Sequence, residues 1–444
     1  ADSVWGGVSL AKAKSHTAHF GDIIDSDGSK LDEAVATVFR NPGSFTGEDT
    51  VELSVHGSLW VQRRLVMLLV ERGARVAEAG EFTRRAFASG RLDLAQAEAV
   101  ADVIASSSRS AHRVAMSQMR GDFSGRLASL REQLLELSSL LELELDFSEE
   151  DVEFASRSRL LDIATSIQAE TTRLADSFSA GRAIKEGIPV AIVGATNAGK
   201  STLLNRLLGE ERAIVSDIHG TTRDVIEDTI DIDGTLFRFI DTAGLRDTSD
   251  SIEAMGIERT IAKLSQASIV IWVVDGAASP GDCRQAWQRI SPHLLPSQRL
   301  IPLINKDDIA TDADTISHTV ATLIADRPHS PGKDADVAHP GSVIIRLSAR
   351  QGDIAPLRGA ILQASGVADI STDDILVTNE RHYQSLIRAS QSITRAIDAL
   401  NANLPGDLIA QDIRETLHHL GEITGTITTH EILSTIFSRF CIGK

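Results

Sequence analysis

Residues 194–201 read Gly-Ala-Thr-Asn-Ala-Gly-Lys-Ser, a spacing whose chemistry is phosphate binding. Gly194 and Gly199 let the backbone turn so that its N–H groups converge on phosphate oxygens, and the N-terminus of a following helix adds a favourable dipole. The candidate cradle is Asn197, Ala198, Gly199, Lys200, Ser201 and Thr202. In it, the Lys200 ammonium meets the β- and γ-phosphates and the Ser201 hydroxyl ligates Mg2+. PVAIV (Pro189–Val193) before it predicts a strand and TLLNRLLG (Thr202–Gly209) after it a helix, the context such a loop requires. Taken alone, the motif still competes with a chance glycine-rich turn.

Four further motifs follow in order. Gly220-Thr221-Thr222-Arg223-Asp224 offers a threonine that completes Mg2+ coordination when a triphosphate is bound, which makes a switch. Asp241-Thr242-Ala243-Gly244 follows the apolar FRFI. There Asp241 can hold Mg2+ through water and the Gly244 N–H can bind the γ-phosphate. Asn305-Lys306-Asp307-Asp308 follows LIPLI, and Asp308 can accept both N1–H and the 2-amino group of guanine, a pair that adenine does not offer. Ser348-Ala349-Arg350 follows VIIRL and can place a backbone N–H on the guanine oxygen. Five motifs in this order, each at the end of a predicted strand, imply GTP rather than ATP as the nucleotide.

The position directly after Gly244, where Ras-like enzymes carry a water-orienting glutamine, is Leu245. Hydrolysis therefore needs another way to neutralise transition-state charge. Arg223 and Arg246 are available as arginine fingers, or are structural or solvent-facing. A monovalent cation, with Asn197 as one ligand, can do the same electrostatic task. Glu253 is a candidate water-positioning carboxylate, or an ordinary acid at a helix start.

The elements that must position these groups divide the chain. A length of 444 residues allows two to four domains. In residues 1–90, EAVATVF (Glu33–Phe39) and VELSV (Val51–Val55) read as strands around Asn41-Pro42-Gly43, and Trp60–Arg72 reads as a helix. Residues 92–185 read helical, with Leu127, Leu130, Leu134, Leu137 and Leu141 on one stripe. Strands and helices alternate over 188–366, and Pro328–Ser342 reads as a surface loop. A second helical block runs from about Asp374 to Lys444, with Leu386, Ile393, Ile397 and Leu400 on one face.

This order predicts an insertion, with 110–185 and 370–444 packing as one helical domain interrupted by the nucleotide domain. The expected fold is a multidomain α/β and all-α chain, in which a Ras-like P-loop domain (186–367) is inserted in a split helical domain (108–185 plus 368–444). A small α/β domain (1–107) precedes both.

Arg381, Arg388 and Arg395 recur every seven residues, as a solvated face or as contacts to RNA phosphates. A net charge of −18 excludes whole-surface attraction to nucleic acid but not a local basic patch. Two cysteines, Cys283 and Cys441, exclude a four-cysteine zinc site and fit a reducing cytoplasm. No apolar run spans a membrane and no signal peptide is visible.

Outside the nucleotide motifs, NPGSFTGEDTVEL (Asn41–Leu53), GEFTRRAFASGRLDLAQAEAVADVI (Gly80–Ile104), LDFSEED (Leu145–Asp151) and the terminal FCIGK (Phe440–Lys444) closely resemble the MnmE (TrmE) family of tRNA modification GTPases. The resemblance covers nearly the whole chain. It implies an N-terminal folate-binding and dimerisation domain, a homodimer, and a flavin-dependent partner of the MnmG type. It further implies addition of an aminomethyl-type group, such as carboxymethylaminomethyl, to C5 of the tRNA wobble uridine. It also implies a 5-formyltetrahydrofolate-type cofactor, and K+ in place of an arginine finger as the G domains meet.

By motif, the resemblance puts K+ near Asn197, Ser216, Ile218 and Thr221, with Asp217 in the same nucleotide-contacting segment, and Mg2+ on Ser201 and Thr222. Glu253 falls at the water-orienting glutamate. Lys200 and Asp241 join it in catalysis, and Glu52, Arg91 and Lys444 match folate positions. Cys441 is a site position of open role. The tail itself is either an anchor, with Phe440 and Ile442 in the bundle, or reaches the folate pocket with Gly443 as its turn and Lys444 as its cation.

Family members begin with a glycine-rich strand segment carrying a folate-contacting arginine. Nothing like it precedes Ala1, so the domain is expected to be truncated at its N-terminus. A regulatory or ribosome-assembly GTPase, and a folate-dependent one-carbon enzyme with a fused regulatory G domain, are the competing readings.

Overall fold

The computed structural model describes residues 1–146, 157–211, 228–240, 264–310, 312–325, 343–367, 374–438 and 440. Four antiparallel strands open the chain: β1 (Trp5–Gly6), β2 (Thr17–Ile24), β3 (Lys30–Phe39) and β4 (Thr50–Ser54), in that spatial order. Period-two alternation sets their faces. Ala34, Ala36 and Val38 of β3 are buried with Val4, Trp5, Leu10 and Ile23, while Phe20 and Val35 point to solvent. Helix α1 (Leu59–Glu71) closes this core with Leu65 and Leu68, and the Ser58 hydroxyl caps its N-terminus by accepting from the Val61 N–H. The two strands and the helix expected here are present, with ends shifted by a residue or a few. β1 and β2 lie in a stretch where no strand was expected.

Helices α2 (Glu81–Ala88), α3 (Leu94–Ala105), α4 (Arg109–Arg120), α5 (Asp122–Asp146), α6 (Arg157–Asp176) and α7 (Phe178–Glu186) follow. All five leucines of the α5 stripe are buried. Then come β5 (Ile188–Gly194), α8 (Lys200–Glu211), β6 (Asp228–Ile232), β7 (Thr235–Ile240), β8 (Ile269–Asp275), α9 (Pro280–Ile290), β9 (Arg299–Asn305), α10 (Ala313–Ala325), β10 (Ile345–Arg346) and α11 (Ala355–Ala364). The chain ends in α12 (Glu380–Asn401), α13 (Gly406–Thr424) and α14 (His430–Phe437).

The chain forms two compact units. One gathers Ala1–Ala105, Ala115–Ala175 and Glu380–Lys444; the other gathers Ser106–Val114 and Asp176–Asn379. In the first unit, helices from both ends of the chain pack together: Gln168 donates to Thr394 Oγ1 at 2.7 Å and Arg157 to the Leu400 carbonyl at 3.0 Å. In the second unit the incoming and outgoing chains touch. The Val377 N–H donates to the Ser177 hydroxyl at 3.1 Å, and Gly181 has no room for a side chain because the Val377 carbonyl lies where a Cβ would stand.

The second unit holds a six-stranded sheet of order β10-β9-β8-β5-β7-β6, parallel except for the β6–β7 hairpin. That hairpin turns on Asp233-Gly234, both left-handed (φ 51° and 82°), the form that matches strand twist. Alternate residues of β8 feed opposite cores, Ile269, Ile271 and Val273 on one face and Val270, Trp272 and Val274 on the other. A sheet buried on both faces accounts for the unbroken apolar runs.

The arginine stripe lies in the first unit, partly solvated and partly paired. Arg381 is half-buried and already engaged: it donates to Glu98 at 3.1 and 2.8 Å and to the carbonyls of Glu422 and Ile423. Arg395 pairs with Asp412 and Glu415. Arg388 and Arg395 are both exposed. A seven-residue repeat does not reveal the carboxylate that a distant helix supplies. Burial pulls the Glu98 carboxyl up, but charge and hydrogen bonds from His382 (2.6 Å) and Arg381 overcome it and hold the group at about 2, against 4.5 when exposed.

A depressed carboxylate stabilises fully above its unfolded value and loses that contribution as pH falls through its folded one. Stability on the order of 3 kcal/mol should therefore fade between about pH 4.5 and 2. In urea titrations, Glu98→Gln should unfold more easily than wild type at pH 7, and the gap should close toward pH 2. A gap that does not depend on pH would overturn this.

Candidate functional site

Three of the five nucleotide motifs lie within the described residues, and they converge at the carboxyl ends of the parallel strands, where ligands of such sheets bind. β5 lies between β7 and β8, and its chain leaves through the 194–199 loop into α8. Gly194 and Gly199 have φ of 154° and 93°. Beyond conformation, both need the absence of a side chain. A Cβ on Gly194 would collide with the Val273 carbonyl and one on Gly199 with Asn305 Nδ2. Asn197 is exposed and left-handed (φ 62°), Ala198 is buried, Ser201 is half-buried and Thr202 is exposed. Lys200 folds its Nζ back onto the carbonyls of Gly194 (3.0 Å) and Ala195 (2.7 Å). Burial lowers its pKa, because no carboxylate among the described residues repays the lost hydration. An anion placed in the loop would supply the missing charge, and in this sense the cradle fits a phosphate chain.

Asn305, at the end of β9, is buried and joins two loops. Its Nδ2 donates to the Ala198 carbonyl and its Oδ1 accepts the Ala349 N–H, both at 2.8 Å. The sequence reading placed Asn305 among the nucleotide-contacting residues and a backbone N–H of 348–350 on the guanine oxygen. The structure engages this asparagine and this N–H with each other and with the phosphate loop, so the residue acts as a brace between the two loops. Lys306 is left-handed (φ 63°) and pairs with Asp275 at the end of β8 at 2.7 Å. Asp307 pairs with Arg346. Asp308 is exposed and has no partner among the described residues. Ser348 and Ala349 are buried, and Arg350 is exposed.

Ser216, Asp217, Ile218, Thr221, Thr222, Asp241, Thr242, Ala243, Gly244, Leu245 and Glu253 lie outside the described residues, as do Arg223 and Arg246. Of the motifs, the phosphate loop, the 305–308 turn and the 348–350 turn are therefore the three that the described residues bring together. Among the described residues no cluster of His, Cys, Asp or Glu is arranged to hold a metal, and no helix is long and apolar enough to cross a membrane.

In the first unit, Glu52 is exposed on edge strand β4 and Arg91 is exposed in the turn after α2. No contact joins them among the described residues. The Arg91 stem lies against Gly47, whose Cβ would stand 3.0 Å from Arg91 Cγ, and the Ser89 hydroxyl donates to the Thr46 carbonyl at 2.7 Å. The loop containing Thr46 and Gly47 is thus docked on the end of α2. At the other end of α2, Phe437 and Phe440 press on Gly80. Phe440 is buried there, as the anchor reading of the tail expected. Cys441 and Lys444 are outside the described residues.

Glu81, next to Gly80, was missed from sequence. Its carboxylate is buried between Arg75 and Arg85 and accepts the Glu78 N–H. Arg75 first, then that N–H and Arg85, hold it at about 2. Its only sequence signal is an acid in a helical first turn followed by arginines, a common surface pattern.

Family models match along the chain: one described as the TrmE N-terminus of a GTP-binding protein over residues 4–91, and one described as the MnmE helical domain over residues 94–441. The chain is 49% identical over 440 residues to the tRNA modification GTPase MnmE of Parabacteroides distasonis, covering 99% of this chain and 92% of that protein. It is 48% identical to the protein of that name in Bacteroides fragilis (99% and 91% covered) and 47% identical to that of Cytophaga hutchinsonii (100% and 91% covered).

Proposed function

The chain belongs to the MnmE family of tRNA modification GTPases, and from that premise we propose that it hydrolyses GTP to GDP and phosphate in the service of wobble-uridine modification. The single observation that supports this best is the Asn305 brace. It couples a lysine-bearing phosphate loop to the turn that carries Asp308, exposed and without a partner among the described residues, so that phosphate binding and guanine reading are built into one piece.

In this reading the 186–367 segment is the G domain, 108–185 with 368–444 the helical domain, and 1–107 the folate-binding and dimerisation domain. Ser201 and Thr222 hold Mg2+, which neutralises phosphate charge when bound. Asn197, Ser216, Ile218 and Thr221 hold K+, and Glu253 orients water in place of the absent glutamine. Glu52, Arg91 and Lys444 hold a 5-formyltetrahydrofolate-type cofactor, with Cys441 nearby. The active form is a cytoplasmic homodimer that works on tRNA with a flavin-dependent MnmG-type protein to build the C5 aminomethyl-type group.

The test has two arms. Nucleosides of tRNA from a deletion strain should lack the C5 wobble group, and the wild-type chain should restore it. The purified protein should hydrolyse GTP several-fold faster in K+ than in Na+, because ligand spacing rather than charge distinguishes the ions, and specific activity should rise with protein concentration as G domains meet. Unchanged nucleosides would return the chain to the regulatory or ribosome-assembly reading. Equal rates in the two salts would remove K+ from the site.

A further inference from the structure

Asp275 belongs to none of the five motifs, yet it is tied to the base-reading turn by geometry. It ends β8 directly beside Asn305 in the parallel register. One carboxylate oxygen accepts the Ala277 N–H at 3.0 Å, which fixes its orientation, and the other receives Lys306 Nζ at 2.7 Å. The next residue, Gly276, donates its N–H to the Asn305 carbonyl at 2.7 Å, and a Cβ on it would stand 2.9 Å from that oxygen. The 275–277 turn therefore wraps the start of the 305–308 turn. Lys306 needs that support. It is a non-glycine residue with φ 63°, a backbone state that costs free energy and persists only where the surroundings over-determine it. The ion pair is part of that determination, and two residues onward stands the exposed Asp308.

We propose that Asp275 is a positioning residue for the nucleotide. By holding Lys306 it keeps the 305–308 turn in the left-handed form that presents Asp308 to the base, ahead of ligand binding. The proposal rests on the guanine-nucleotide reading above and adds to it a residue on a different strand. Preorganisation of this kind lowers the cost of binding without touching the ligand, so its loss should appear in nucleotide release and KM and leave kcat at saturating GTP near wild type.

The experiment measures release of a fluorescent GDP analogue from the full chain by stopped flow, for Asp275→Ala, Lys306→Gly and the double variant. Asp275→Ala should release GDP roughly 5- to 10-fold faster, the scale of one left-handed-backbone penalty. Lys306→Gly removes both the strain and the pair, so adding Asp275→Ala to it should change nothing further. Asp275→Asn keeps the bond to Ala277 and loses the charge. It should also release faster at an unchanged melting temperature, and it stands in if the alanine variant does not fold. A release rate equal to wild type in Asp275→Asn, or a double variant in which the two effects multiply, would overturn the proposal. A wild-type chain that does not retain the GDP analogue would instead overturn the guanine-nucleotide reading, and this proposal with it.

Discussion

Asp308→Asn should weaken GTP binding by roughly 10²–10⁴-fold while leaving the fold intact. Two hydrogen bonds to a charged acceptor are lost, each worth about 1.5–3 kcal/mol. The amide that replaces one oxygen also turns N–H groups toward the donors of guanine, leaving polar groups unpaired in the closed site. Xanthine carries a carbonyl where guanine carries its amino group, so the same variant should bind xanthosine triphosphate better than wild type does. Because Asp308 is exposed and has no partner among the described residues, the melting temperature should not move. Fluorescent-nucleotide titrations with GTP, XTP and ATP check this. Unchanged GTP affinity would take Asp308 out of the base site.

Lys200→Ala is expected to abolish measurable hydrolysis and to lower GTP affinity by roughly 10²–10³-fold, for a loss of about 3–4 kcal/mol of charge-assisted phosphate contact. The lysine is poised for this role. Without a ligand its ammonium rests on two carbonyls of its own loop and carries a pKa lowered by burial. Such a cation is under-compensated, and a triphosphate would repay it. The same logic predicts that removing Lys200 costs the empty protein little stability. Isothermal titration with GTP and thermal melts of the empty protein separate the two effects. A variant that still hydrolysed GTP at the wild-type rate would show that the ammonium does not touch the reacting phosphates.

The elements of the nucleotide domain were legible because each motif sits at the end of an apolar run, and a run buried on both faces needs no alternation to be recognised. The leucines of α5 were legible for the matching helical reason: a spacing of three and four puts them on one face whatever they pack against. β1 and β2 were not. Trp5–Gly6 is too short to show a period, and outward-facing Phe20 on β2 breaks the polar alternation of a half-buried strand. The arginine repeat on α12 was legible as a face, with Arg388 and Arg395 exposed on it, but spacing is silent about the carboxylates that meet Arg381 and Arg395 there.

By itself the sequence determined the phosphate-loop spacing, the Asn305–Asp308 motif and the family, since these rest on covalent spacing, which survives unfolding. The tertiary structure alone decided the rest. Asn305 spans from Ala198 to Ala349. Asp275 holds Lys306 from another strand. Glu98 meets Arg381 across 283 positions of sequence. Each is a buried or half-buried polar group whose partner is chosen by what lies within about 3 Å once the chain has closed, because an unpaired polar group in the interior costs more than any local preference supplies.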